Sequence, residues 1–495
     1  MSNQTTKWSQ FGTLITVFFF WGFVAASNDI LIPVFKHAFK LTQVESQWVT
    51  LAFYLPYTIG SIIYFAVSKS IGGDLLNKIG YKNGITYGLI ISTLGALIFY
   101  PAANSASYAL MLTALFVVGL GFSLQQIAAN PLAIVMGDPK SGSQRLSMAG
   151  GINNFGTTIG PLLVSFAIFG SVTGGSDNAN IDSVKIPYLI LGAAFLLVAI
   201  LFKFSSVPNK IDLGKTAGAE NEFESEQAGD PANESAKVTA DRPSVFNYPQ
   251  LVLGMIAIFV YVGVEVATAS NLPNYLEKDM GILTKDVAPY VSLYWASLMM
   301  GRWTASIGAF NVKAGAKKIL SFFMPYLAFA VYIIVNKIAG HDVTPFYYYA
   351  IVIVALILGN IVSADSPARM LLIYSLMGIT ALCIGMLTTG MVSVFAFISV
   401  GLFCSTLWPC IFTLSIAGLG KHTNEGSSLL VMMILGGALL PVVQGKLADG
   451  AIGIKYSYLL GALCFAYLAF YAIKAKATLR NQGIDYDVKT AGSGH

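Results

Sequence analysis

Apolar runs of about 20 residues, the length an α-helix needs to cross a hydrocarbon core, recur along most of the 495-residue chain. Inside a bilayer no water satisfies backbone N–H and C=O groups, so runs of this length must close their hydrogen bonds within each helix. Only 11% of the residues are charged and the mean hydropathy is +0.68, whereas soluble domains carry about 25% charged residues. The runs predict helices at about 11–35, 46–68, 83–101, 106–136, 143–170 and 186–206. They resume at about 248–277, 287–309, 316–338, 345–363, 369–388, 391–419, 427–449 and 456–475. The first run is too long for a leader and lacks a small-residue cleavage site, so it reads as a retained span. The expected fold is an all-α polytopic membrane protein with fourteen helices.

The runs fall into two groups. Residues 1–206 form an N-terminal six-helix bundle. Residues 207–246 hold Glu220, Glu222, Glu224, Glu226, Asp230 and Glu234 with almost no aromatics, a composition that cannot bury a core and reads as a flexible linker. Residues 247–480 form a second bundle, and 481–495 a polar tail. With the N-terminus, linker and tail placed on one side, about 21 of the 29 Lys and Arg residues share that side. The excess marks it as cytoplasmic.

The two groups repeat one another. Ala26-Ser27-Asn28 recurs as Ala269-Ser270-Asn271, and Val49-Thr50-Leu51 is echoed by Val291-Ser292-Leu293, at offsets of 243 and 242. Val118-Gly119-Leu120 recurs as Val400-Gly401-Leu402, and Gly156 with Pro161 as Gly436 with Pro441, at offsets of 282 and 280. The jump of about 40 residues is the length of two membrane helices and a turn. It predicts an inserted, lipid-facing hairpin at about 316–363, added to twelve core helices. Bundles repeated in parallel place a solute site between the halves, near the midplane.

Polar residues inside such runs carry the candidate chemistry. Asn28 and Asp29 lie within the first run, where a carboxylate costs about 2.5–3.5 kcal/mol on insertion scales. Asp29 is the candidate cation-coupling group, with Asn28 beside it. The competing reading places Asp29 at the helix end among headgroups, because Lys36 and His37 follow within two turns. Gln126 and Asn130 are four apart, hence on one helix face, next to Gln125 and before Pro131. Amides on one face suit a polyhydroxylated solute, and helix–helix hydrogen bonding is the alternative. Asn153 and Asn154, Glu265, Asn271, Asn274 and Gln444 extend the polar set. Glu265 reads equally as a second cation site, a ligand for hydroxyls, or a partner within the second bundle. Trp21, Tyr54, Trp295 and Trp408 are candidate stacking platforms or ordinary packing.

Cys383, Cys404, Cys410 and Cys464 lack metal or redox spacing and read as core residues. His37, His341, His422 and His495 do not cluster. With no metal spacing, phosphate loop or nucleophile triad, the sequence does not read as an enzyme, and no cofactor is expected.

The loop Gly72-Gly73-Asp74-Leu75-Leu76-Asn77-Lys78-Ile79-Gly80-Tyr81-Lys82 resembles a degenerate copy of the cytoplasmic loop motif of the major facilitator superfamily. The resemblance implies that Asp74 and Lys78 tie the halves together in the outward-open state, with Arg302 as the counterpart. Further stretches resemble the fucose/galactose/glucose symporter branch: Asn28 to Pro33, Gln126 to Pro131, Asn153 to Pro161, Tyr261 to Val266, Ile411 to Leu414 and Gly436 to Pro441. The branch implies uptake of a neutral hexose coupled to a cation, and its helix-one aspartate maps onto Asp29. That residue would also hold the ion if sodium is the coupling cation. Fucose permeases carry a glutamate where this chain has Gln126. The chain is similar to the glucose/galactose members there, which favours glucose or galactose over fucose and leaves sodium and proton both open. Two departures stand out: Gly150 where many members have glutamine, and Cys404 where many have asparagine. The candidate sugar-binding residues are Gln125, Gln126, Asn130, Asn153, Glu265, Asn271, Gln444, Trp295 and Trp408. The resemblance further implies a monomer in the inner membrane, with a hexose and the bilayer as partners and no nucleic acid. An efflux antiporter or facilitative sugar carrier on the same fold, and a non-transporting membrane sensor, are the competing readings.

Overall fold

The computed structural model describes residues 6–41, 45, 48–138, 141–169, 181–210, 242–283, 286–310 and 312–484, with the backbone alone at 27–34, 36–37, 161–162, 165–166, 168–169 and 314. Most of the expected linker and tail therefore lie outside the described residues. The N-terminal half comprises α1 (Trp8–Phe39), α2 (Trp48–Ser70), the short α3 (Leu75–Ile79), α4 (Tyr81–Asn104), α5 (Tyr108–Val135), α6 (Gly142–Phe169) and α7 (Lys185–Phe204). The C-terminal half comprises α8 (Pro249–Lys278), α9 (Ala288–Ser306), α10 (Ala314–Ile338), α11 (Tyr349–Ser363), α12 (Pro367–Leu387), α13 (Gly390–Cys404) and α14 (Leu407–Ile416). It ends with α15 (Thr423–Met432), α16 (Gly436–Asp449), α17 (Gly453–Ser457) and α18 (Leu459–Asn481).

The pairs α13/α14, α15/α16 and α17/α18 are each one broken crossing, so the described helices make fourteen crossings. Among the described residues, twelve segments are long and apolar enough to span a bilayer on their own. The other two crossings, α6 and α9, carry polar side chains within them, Asn153 and Asn154 in one and Arg302 in the other. These two pack on each other across the halves. Their polarity is thus spent on an interface, away from lipid.

The repeat is visible in the packing. In the first half α1 packs on α6, α2 and α4 on α5, and α4 on α7. In the second, α8 packs on α16, α9 on α13, α12 on α13 and α14, and α12 on α18. The two patterns match once α10 and α11 are set aside, which identifies that pair as the inserted hairpin. Its outer face, including Ile319, Phe323, Leu327, Ile351 and Leu358, is exposed, as a lipid-facing surface must be. Glycines at repeated positions do the same job. A Cβ on Gly156 would lie 2.4 Å from the Phe19 carbonyl oxygen, and one on Gly436 1.9 Å from that of Phe259. Neither position admits a side chain, so α1 closes on α6 and α8 on α16 through bare backbone.

Candidate functional site

The halves meet through hydrogen bonds toward the end that carries residues 204–249, called here the linker end. One face of α15, presenting Asn424, Ser427 and Ser428 at i, i+3, i+4 spacing, is seated on the N-terminal half. Asn424 Nδ2 donates to Asp74 Oδ1 at 2.8 Å, and Tyr81 Oη donates to Asn424 Oδ1. Ser427 Oγ donates to Ile127 O at 2.9 Å and Ser428 Oγ to Ser61 O at 3.2 Å. Asp74 also caps α3, accepting from the Asn77 N–H at 3.0 Å and from Tyr64 Oη at 2.8 Å. Burial pushes the Asp74 carboxyl above its ordinary range, opposed by these donors.

A second contact mirrors the first. Gln144 stands 280 residues before Asn424, and its Nε2 donates to Asp365 O at 3.2 Å. Asp365 lies in the turn before α12, where Ala364 and Asp365 adopt φ of 49° and 61°. Its carboxylate pairs with Lys317 at the start of the hairpin.

Deeper in the bundle, Arg302 of α9 joins both halves. Its Nη1 donates to Asn154 Oδ1 and, at 3.3 Å, to Gly150 O, while Nε donates to Ser405 O at 3.0 Å. Its Nη2 lies 3.9 Å from Glu265 Oε2 and 3.3 Å from Tyr261 Oη, and Tyr261 donates to the same carboxylate oxygen. The side chains of Arg302 and Glu265 are only 11% and 14% exposed. A buried carboxylate and guanidinium at this separation offset part of each other's desolvation cost, helped by the hydrogen bonds to Tyr261, Asn154 and Ser405. Of the three readings for Glu265, pairing within its own half is the one seen. Next to it, Trp303 Nε1 donates to Gly151 O at 3.1 Å. Gly150 and Gly151 leave room for these side chains: Cβ atoms there would lie 3.1 Å from Arg302 Cδ and 2.6 Å from Trp303 Cδ1.

The structure sorts the sequence candidates. Gln126 is half-buried and bonds with Tyr57. Trp408 is half-buried with its ring 6.3 Å from that of Tyr261, and Trp295 is half-buried against Tyr294. Asn130 is 1% exposed and its Nδ2 has no hydrogen-bond partner. Gln125 turns away from the seam: it accepts from Trp21 Nε1 at 2.9 Å and donates to Ser92 Oγ at 3.1 Å, inside the N-terminal half. Asn153 donates to Phe18 O on α1, and Asn271 to Ala267 O on its own helix. Gln444 is buried and donates to Ser457 Oγ at 3.4 Å within the C-terminal half. These four side chains are engaged in helix packing, the alternative allowed for membrane amides. Lys78 does not cross the seam; its Nζ donates to Ile71 O in its own loop. Arg302 is not the counterpart of the Asp74 loop, because Glu265 holds it in the bundle interior, and Asp365 occupies the matching turn. Asn28 and Asp29 fall within α1, ten residues before its end at Phe39, and their side chains lie outside the described residues. Asn424 was not singled out from the sequence, although its offset of 280 from Gln144 was a usable signal. Among the described residues no group of three or more His, Cys, Asp and Glu side chains is placed to hold a metal.

Two six-helix halves meeting along a polar seam invite comparison with known transporters. The sequence pattern described as Major Facilitator Superfamily matches residues 11–359. The chain belongs to the major facilitator superfamily. Within the superfamily it falls in the branch of the fucose, glucose and galactose symporters. The "Glucose/galactose transporter" of Brucella abortus (biovar 1, strain 9-941) is 33% identical over 479 residues, covering 96% of this chain and 96% of that protein. The "L-fucose-proton symporter" of Escherichia coli K12 is 28% identical over 489 residues, covering 95% and 94%. The crystal structure of FucP in the outward conformation superposes with a TM-score of 0.68 at 27% identity, covering 94% of this chain and 98% of that one. As a superfamily member the chain is a multi-pass membrane transporter.

Proposed function

We propose that this transporter imports a neutral hexose, glucose or galactose in preference to fucose, by symport with a proton or sodium ion. One observation carries the reading: the end-to-end likeness to a glucose/galactose transporter, and the amide at Gln126, where the resemblance implies a carboxylate in fucose permeases, agrees with it. The geometry supports it. Half-buried Gln126 on α5 offers donors and acceptors to sugar hydroxyls. Half-buried Trp408 on α14 offers a flat apolar face to the pyranose ring. With the linker end closed by Arg302, Trp303 and α15, solute enters from the opposite end, which the basic residues make the outside of the inner membrane.

In this scheme Asp29 carries the coupling ion. The empty, ionised carboxylate holds the protein on one side. A proton or sodium ion neutralises it and lets the halves rock. No cofactor is needed beyond the ion, and a monomer is sufficient. The test is uptake of labelled glucose, galactose and fucose into liposomes under separately imposed proton and sodium gradients. Accumulation driven by one gradient, with glucose or galactose preferred, supports the proposal. Equal equilibration under every gradient makes the protein a facilitative carrier. Asp29→Asn is expected to abolish accumulation while sparing counterflow; loss of both makes Asp29 a binding or folding residue.

A further inference from the structure

His422 lies at the linker end, immediately before α15. Its Nδ1 is 2.8 Å from Glu425 Oε2 and its Nε2 is 3.0 Å from the Arg242 carbonyl oxygen. Both partners are acceptors. A neutral imidazole carries one N–H and satisfies one of them, whereas an imidazolium donates to both. The arrangement is therefore complete only when His422 is protonated.

Its position gives that proton leverage. Arg242 is the described residue at which the chain returns from the 211–241 stretch, and it is anchored there. Its N–H donates to Tyr248 Oη at 3.3 Å, and its guanidinium lies 4.9 Å from the Tyr248 ring centre. Tyr248 in turn precedes α8, the helix of Glu265. On the other side of His422, Asn424, Ser427 and Ser428 hold α15 to the N-terminal half. His422 thus ties the root of α8 to the helix that seals the linker end. The charged and titratable groups around it are Glu425 on α15, Lys421 preceding it, Arg242 and Tyr248 before α8, and Asp74 across the seam.

We propose that His422 is a proton-operated clip on the linker-end gate, separate from ion coupling in the membrane. Protonated, it holds the root of α8 against α15 and favours the closed linker end. Deprotonated, it can donate to only one of its two partners, and the gate opens more readily. A rise in pH on that side would speed the return of the empty carrier. The inference rests on alternating access in this superfamily and not on the identity of the sugar or ion, so its failure leaves the proposed substrate untouched.

The test uses the full-length protein in lipid nanodiscs, with nitroxides on Lys69→Cys and Lys313→Cys to report the separation of the halves at the linker end. In the parent protein the closed-to-open ratio should fall on the order of two- to tenfold between about pH 5.5 and 8, the scale of one net hydrogen bond. His422→Ala should hold the high-pH ratio throughout. His422→Gln, which donates to one partner only, should be equally insensitive and serves if the alanine variant does not fold. Asp74→Asn should retain most of the shift, separating the buried carboxyl from the histidine. Nitrogen-15 spectra of the ring should show both nitrogens protonated at the acid end. A ratio that does not move with pH, a shift that survives in His422→Ala and His422→Gln, or a ring with one bare nitrogen at low pH overturns the proposal.

Discussion

The two halves are built on one packing plan and use it for different chemistry. Gly22 and Gly60 of the N-terminal half stand at the repeat positions of Glu265 and Arg302, by the offsets of 243 and 242. In the first half these glycines let helices touch: a Cβ on Gly22 would lie 1.9 Å from Asn153 O, and one on Gly60 2.6 Å from Ser123 Oγ. In the second half the same positions hold a buried ion pair. Likewise Gln126 matches Trp408 at the offset of 282, so an amide of one half stands at the repeat position of an aromatic ring in the other. The first half is closed by shape and the second by charge. The proposed sugar, polar at its rim and apolar on its ring face, would suit that asymmetry.

The largest test of this contrast is Arg302→Met. It strands Glu265 without its partner and removes the bonds to Asn154 and Gly150, so a loss of about 3–5 kcal/mol is expected, read as a lower Tm and abolished uptake. Glu265→Gln should be milder, because the guanidinium keeps Asn154, Gly150 and Ser405. Equal damage from the two would erase the claim that Arg302 serves both halves. Next come the paired glycines. Gly436→Ala and Gly156→Ala should each cost about 1–3 kcal/mol through overpacking. The first should be worse, since its Cβ would sit 1.9 Å from a carbonyl against 2.4 Å. The reverse order would mean that the second half is the more yielding.

Trp408→Ala and Gln126→Ala should each raise the KM for sugar by roughly tenfold, the scale of one lost stacking contact or hydrogen bond, with little change in Tm. An effect from only one of them would place the sugar against a single half. Asn424→Ala should shift the linker-end equilibrium toward open by on the order of two- to tenfold. The smallest effect is expected for Lys78→Ala, within about 0.5 kcal/mol, because Lys78 bonds only within its own loop. A large effect there would restore the role that the loop motif implied.

Helix number, the repeat and the hairpin were legible because each is written in hydrophobic length. A bilayer converts run length directly into a crossing, and offsets survive while individual residues drift. α6 and α9, which carry Asn153, Asn154 and Arg302, were legible in the same way, as apolar runs of membrane length. Which way a polar side chain points was less legible. Gln125 and Gln126 are neighbours, yet one faces Trp21 and Ser92 and the other Tyr57. About 100° of helix rotation separates adjacent residues, and composition carries no information about which partner waits on each side. Arg302 was misplaced for the same reason: its nearness to the end of α9 suggested a loop role, while a carboxylate one helix away drew it inward. Asn424 sits in a short polar stretch between apolar runs, where its function depends on an aspartate 350 residues earlier.

Much of the seam ends on main-chain oxygens. Arg302 reaches Gly150 O, Trp303 reaches Gly151 O, Gln144 reaches Asp365 O, and Ser427 and Ser428 reach Ile127 O and Ser61 O. Such acceptors are main-chain atoms, so most keep their place when the side chain beside them changes; Gly150 and Gly151 are the exceptions, because a Cβ there would press on Arg302 and Trp303. When the halves part, hydroxyls, amides and carbonyls meet incoming water and re-solvate at small cost. A joint made this way can open and reseal every turnover, and drift in sequence will show mainly among the donors.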